Sequence, residues 1–134
     1  MIAVDSSVVV AGFASWHDAH APAREALGRK PRLPAHVALE SFSVLTRLPP
    51  PHRFAAGLVE ALLAAHFPEP PLGLPGRQQT ALIQLAVKAG VTGGAIYDAL
   101  VAATAKQAGA TLLTRDKRAR TIYEVVGVSF EFVA

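Results

Sequence analysis

The chain begins Met1-Ile2-Ala3-Val4-Asp5-Ser6-Ser7-Val8-Val9-Val10: a short apolar run, an acid, two hydroxyls and a second apolar run. The pattern predicts a buried strand, a sharp turn and a helix over Ser7 to Phe13. In a parallel α/β sheet the acid would stand at the carboxyl edge of the first strand, where open sheets bind ligands. Asp is also a good N-cap, so Asp5 or Ser6 is equally expected to hold the first amides of that helix. The rest of the chain decides between the two.

A length of 134 residues fits one domain spanning 1–134, with a single core. Hydrophobic residues make up 51% and charged residues 17%, a composition that buries well and excludes disorder. No apolar run reaches the roughly 18 residues of a membrane span, and no basic segment precedes an apolar core as in a signal peptide, so a cytoplasmic protein with no membrane partner is expected. The absence of Cys excludes disulfides and thiolate metal sites. A net charge of +3 is modest for a nucleic-acid binder and compatible with many other roles.

Asp18 to Leu27 reads as a helix capped by Asp18, with Pro22 near its first turn and Gly28 beyond its end. His17 and His20 lack a third partner for a metal and are expected as solvated surface. Arg32 to Ala35 is a second strand candidate with Pro at its ends. His36 to Leu48 shows the apolar spacing of a largely buried helix, with Glu40 its one acid on a rather apolar face. Pro49-Pro50-Pro51 separates it from a helix over Arg53 to His66, predicting a helical hairpin. A Pro- and Gly-rich loop from Pro68 to Gly76 holds a poor strand candidate near Leu72 to Leu74, and Arg77 to Ala89 is amphipathic.

Thr92-Gly93-Gly94 opens a helix over Ala95 to Ala108 that is apolar nearly all round and should be buried. Its one acid, Asp98, needs a cation, a donor network or a solvent-filled cleft, because an unpartnered buried carboxylate is costly or protonates. Ala110 to Thr114 is a strand ending in Arg115-Asp116. It repeats the pattern of Asp5: apolar strand, acid at the exit, helix beside it, here Lys117 to Val126. Val128 to Val133 alternates as a last strand.

This order predicts a parallel sheet with helices on both faces, joined by right-handed crossovers. Asp5 and Asp116 then converge at one carboxyl edge, and Glu40 and Asp98 sit near helix starts that face it. Four clustered carboxylates repel one another unless protonated or bound to a cation. Hard oxygen ligands without Cys point to Mg²⁺ or Mn²⁺, and such an ion lowers the pKa of water and neutralises charge on a phosphodiester. Ser6 and Thr114 are candidates to orient the acids, or plain caps. Arg115, Lys117, Arg118 and Arg120 oppose the helix dipole and are candidates for RNA phosphates, or a solvated face.

Asp5-Ser6-Ser7, Glu40 in its helix, Tyr97-Asp98-Ala99-Leu100 after Gly93-Gly94, and Leu112-Leu113-Thr114-Arg115-Asp116 resemble the PIN-domain ribonucleases, especially VapC-type toxins of bacterial toxin–antitoxin pairs. The resemblance runs end to end. It implies a three-layer α/β/α domain cleaving single-stranded or looped RNA with Mg²⁺ or Mn²⁺ held by Asp5, Glu40, Asp98 and Asp116. It also implies a homodimer and a cognate antitoxin whose tail covers the cleft. Some members carry a further acid after the fourth, whereas Lys117, Arg118, Ala119 and Arg120 follow here, so a second ion would be weakly held or arrive with substrate. The alternative is a PIN-like protein- or RNA-binding module without turnover.

Overall fold

The computed structural model describes residues 1–134. Three parallel strands, β1 (Ile2–Val4), β2 (Thr111–Thr114) and β3 (Phe130–Phe132), form a sheet in the order β1-β2-β3. β1 registers Val4 against Leu113, and β2 registers Leu113 against Glu131. Seven helices surround the sheet: α1 (Ser6–Phe13), α2 (His20–Gly28), α3 (Ala35–Thr46), α4 (Ala56–His66), α5 (Gly76–Ala89), α6 (Ala95–Gln107) and α7 (Arg120–Val126). The arrangement is the expected α/β/α sandwich.

Two extended segments continue the sheet beside β1, through single parallel bridges Ala3–Arg32 and Pro34–Leu72. The strand expected over Arg32 to Ala35 is reduced to these bridges because Pro31 and Pro34 have no N–H to donate. Arg32 N–H donates to the Ile2 carbonyl at 2.8 Å, and Ala35 N–H to the Leu72 carbonyl at 2.8 Å. The segment still runs parallel to β1, and that direction places α3.

Other boundaries move for local reasons. The helix expected from Asp18 begins at His20, and Asp18 makes no cap. His17 Nδ1 accepts the Ala19 N–H at 3.0 Å instead, and a His20 ring nitrogen lies 3.0 Å from the Ala11 carbonyl oxygen. The two histidines are thus half-buried hydrogen-bonding groups, not solvated surface. The expected helix from Lys117 opens as a 3₁₀ turn over Lys117–Ala119 before α7, and the one expected from Arg53 starts at Ala56.

The core is one continuous cluster in which Val4, Val8, Val9, Val37, Leu45, Val59, Leu112 and Leu113 lose all solvent contact. Gly12 lets α1 and α2 approach: a Cβ there would lie 2.4 Å from Leu27 Cδ1. α6 is buried along Ala99, Val101, Ala102, Thr104 and Ala105 only, whereas Ile96, Leu100 and Ala103 are half-covered and Tyr97 is exposed. Burial all round was expected of it; one side instead faces an open cleft beside α5. No helix is long and apolar enough to cross a membrane.

Candidate active site

Topology brings the four acids to one edge. β1 and β2 are parallel, so Asp5 and Asp116 leave the sheet on the same side. α3 follows a segment parallel to β1 and therefore starts at that side, with Glu40 in its second turn. α6 precedes β2 and runs back against it, which places Asp98, in its first turn, at the same edge.

Asp5 is 5% exposed and its carboxylate is fixed at both oxygens. Oδ1 accepts the Ser7 N–H at 3.1 Å and the Ser7 hydroxyl, while Oδ2 accepts the Tyr123 hydroxyl at 2.8 Å. Ser7 Oγ in turn accepts the Arg115 N–H at 2.8 Å, tying the exit of β1 to the exit of β2. Burial raises the pKa of Asp5 above the usual carboxylate range, against the downward pull of the Ser7, Thr114 and Tyr123 hydroxyls and the Val8 amide. Asp5 therefore caps α1 and also stands at the sheet edge where the other acids gather.

Asp116 repeats the device on the surface side. Its Oδ1 accepts the Arg118 N–H at 3.0 Å, and its own N–H donates to Thr114 Oγ1 at 3.0 Å. Thr114 is fully buried between the two strand exits. Glu40 is half-buried on α3, its Oε2 4.0 Å from His36 Nε2.

Asp98 reports the convergence. Its pKa is raised to about 6, first by burial and then by the charges of Glu40, Asp116 and Asp5, in that order. The first turn of a helix favours a carboxylate, yet burial and these three neighbours outweigh it. Because the folded-state value lies above the unfolded 3.8, stability on this account is full below pH 3.8 and declines as pH rises to about 6. After allowance for solvent screening, the loss is on the order of 1 kcal/mol. Thermal melts in chelator between pH 4 and pH 7.5 should show this decline in the wild type and a flatter profile in Asp98→Asn; equal slopes would remove the electrostatic account.

Two members of the network, Ser7 and Tyr123, were not singled out in the sequence. Tyr123 is 1% exposed and also edge-on to Phe130 at 5.8 Å. Its pKa is raised by burial and by the neighbouring charge of Asp5. The available signal was that a tyrosine on an apolar helix face needs a partner for its hydroxyl.

The basic residues divide. Lys117 and Arg118 are exposed, and Arg118 Nε stands 3.8 Å from Asp116. Arg120 is engaged elsewhere: it pairs with Glu124 at 3.0 Å and lies over the Phe132 ring. Arg115 keeps a buried Nε with no hydrogen-bond partner.

As a metal site, the cluster offers hard carboxylate oxygens without soft ligands, suited to Mg²⁺ or Mn²⁺. No three Asp, Glu or His side chains close into a ready cage. Such openness fits Mg²⁺, which binds through one or two carboxylates and keeps several waters.

A family model described as PIN domain matches residues 2–125. The chain belongs to the PIN-domain family. This PIN domain is 53% identical over 133 residues, 99% of either chain, to Ribonuclease VapC40 from two strains of Mycobacterium tuberculosis. It is 41% identical over 128 residues, 95% of this chain and 93% of the relative, to Ribonuclease VapC27 of the same species. Among solved structures, a chain in the crystal structure of FitAcB from Neisseria gonorrhoeae superposes with a TM-score of 0.70, covering 97% of this chain and 96% of that one. At 19% identity that likeness is one of fold.

Proposed function

We propose that this PIN domain is a Mg²⁺- or Mn²⁺-dependent endoribonuclease, the toxin of a toxin–antitoxin pair, hydrolysing RNA phosphodiester bonds in the cytoplasm. The observation that carries this reading is the convergence of Asp5, Glu40, Asp98 and Asp116 at one sheet edge, close enough that the other three charges add to burial in raising the pKa of Asp98. Four acids at one sheet edge with unrelieved repulsion ask for a divalent cation. RNA as the substrate is supported by the relatives, each a Ribonuclease VapC by name.

Asp5, Glu40, Asp98 and Asp116 would hold the ion, which when bound supplies Lewis-acid activation of water and charge neutralisation at phosphorus. The chain's own work is positioning. Ser7, Thr114 and Tyr123 fix the Asp5 carboxylate before substrate arrives, which removes reorganisation from the reaction. Arg115, Lys117 and Arg118 take RNA phosphates beside Asp116, as cations suit polyanions. Arg120 joins them by releasing Glu124. Ser7, and not the Ser6 expected for it, takes the orienting role at Asp5. The active form is a homodimer, and a cognate antitoxin shuts it off by laying a cationic tail across the acids.

A second reading, a binding module without turnover, is favoured by the open acid cluster and by the run Lys117, Arg118, Ala119, Arg120 where a further acid would strengthen metal binding. One paired experiment separates them. Calorimetric titration with Mn²⁺ should show saturable binding, and single-stranded RNA should be cleaved with Mg²⁺ or Mn²⁺ and spared in chelator. Cleavage that persists unchanged in chelator would remove the metal mechanism; metal binding without cleavage of any RNA would favour the module.

A further inference from the structure

The rim of the acid cluster carries an aromatic pair that the chemistry above leaves unused. Tyr97 directly precedes Asp98 on α6, and 52% of it is exposed. The ring of His36, in the first turn of α3, stacks on it with centroids 5.0 Å apart and planes 8° from parallel. His36 lies one turn before Glu40 and 4.0 Å from its carboxylate. The stack is therefore built on the same two helices that present Glu40 and Asp98.

On its α5 side, Tyr97 joins Ile96, Leu100 and Ile83 in walling a cleft of ≈ 350 Å³. Its other polar side chains are Gln79 and Thr80. Gln79 Nε2 donates to the Leu74 carbonyl at 2.8 Å and the Thr80 hydroxyl to the Gly76 carbonyl at 3.2 Å, which leaves each side-chain oxygen as an acceptor. Apolar walls with a few polar groups, at the small end of ligand-site volumes, suit one flat heterocycle.

Core packing does not explain Tyr97, which remains half in water. A ring held at a fixed angle, with one face covered by an imidazole and an open cleft beside it, matches how proteins take unpaired RNA: bases are splayed out and stacked on aromatic side chains. We propose that Tyr97, steadied by His36, stacks an unpaired nucleobase flanking the scissile phosphate, and that the cleft between α5 and α6 receives this base. The inference rests on the ribonuclease reading and adds to it the residue that holds the base beside the cut. Tyr97 is a positioning residue; the acids remain the reacting set.

The test compares wild type, Tyr97→Ala, Tyr97→Phe and Ile83→Ser on one single-stranded RNA with Mg²⁺, and in chelator on the same RNA carrying single 2-aminopurines. Tyr97→Ala and Ile83→Ser should raise KM about tenfold, the scale of one lost base stack, with kcat within about twofold. Tyr97→Phe should retain the wild-type KM. One 2-aminopurine position should be quenched by wild type and not by Tyr97→Ala. Unchanged KM and quenching in Tyr97→Ala, with wild type cleaving normally, would overturn the platform and leave the ribonuclease reading standing. A wild type that neither cleaves nor quenches RNA would overturn both. Loss of a wild-type dimer in Tyr97→Ala, with KM unmoved, would assign the surface to a second copy of the chain and overturn the inference.

Discussion

Asp98→Asn protein cleaves RNA on the order of 10³-fold more slowly than wild type, the scale on which loss of one electrostatic group at a reacting centre is felt. The same substitution removes a carboxylate that its neighbours repel, so the variant melts no lower than wild type in chelator at pH 7.5. Stability and activity thus move in opposite directions, which separates a site residue from a structural one. Initial rates on single-stranded RNA and melting curves on the same preparations measure both. A rate loss under tenfold, or a marked drop in melting temperature, would sink the role given to Asp98.

Leu113→Ala is the expected extreme in stability. Leu113 is fully buried on the central strand, flanked by Val4 of β1 and Glu131 of β3. Truncation there removes transfer energy and leaves a cavity that a strand fixed on both sides cannot close, costing about 2–5 kcal/mol. Urea denaturation should show a lowered midpoint with an unchanged slope. Since Thr114 and Asp116 follow within three residues, residual activity at low temperature should survive only while the fold does. A loss below about 1 kcal/mol would mean that β2 can collapse around the gap.

Much of this arrangement is legible in the chain itself. An apolar run ending in an acid, seen at Asp5 and again at Asp116, marks strand exits because a parallel strand is buried on both faces and must break where polarity begins. Gly93-Gly94 places the start of α6, and so Asp98. The acids are found because each interrupts a local pattern. The network that fixes them is not local: the Tyr123 hydroxyl reaches Asp5 across 118 residues, and Ser7 reaches the Arg115 amide across 108. No periodicity encodes such pairs. Choosing between Ser6 and Ser7 likewise depends on which hydroxyl points back at the cap, a matter of helix phase. Arg32 to Ala35 and Asp18 mislead for simpler reasons, since missing proline donors shrink a strand to single bridges and α2 starts at His20 with no side-chain cap at all.

The Ser7 and Tyr123 ties also set when the site can exist. During synthesis Asp5 emerges 118 residues ahead of Tyr123, whose hydroxyl fixes it, and well ahead of β2, the strand that registers with β1. Contacts of such sequence separation form late. A ribosome making this protein is therefore exposed to an assembled acid cluster only after Tyr123 has been translated.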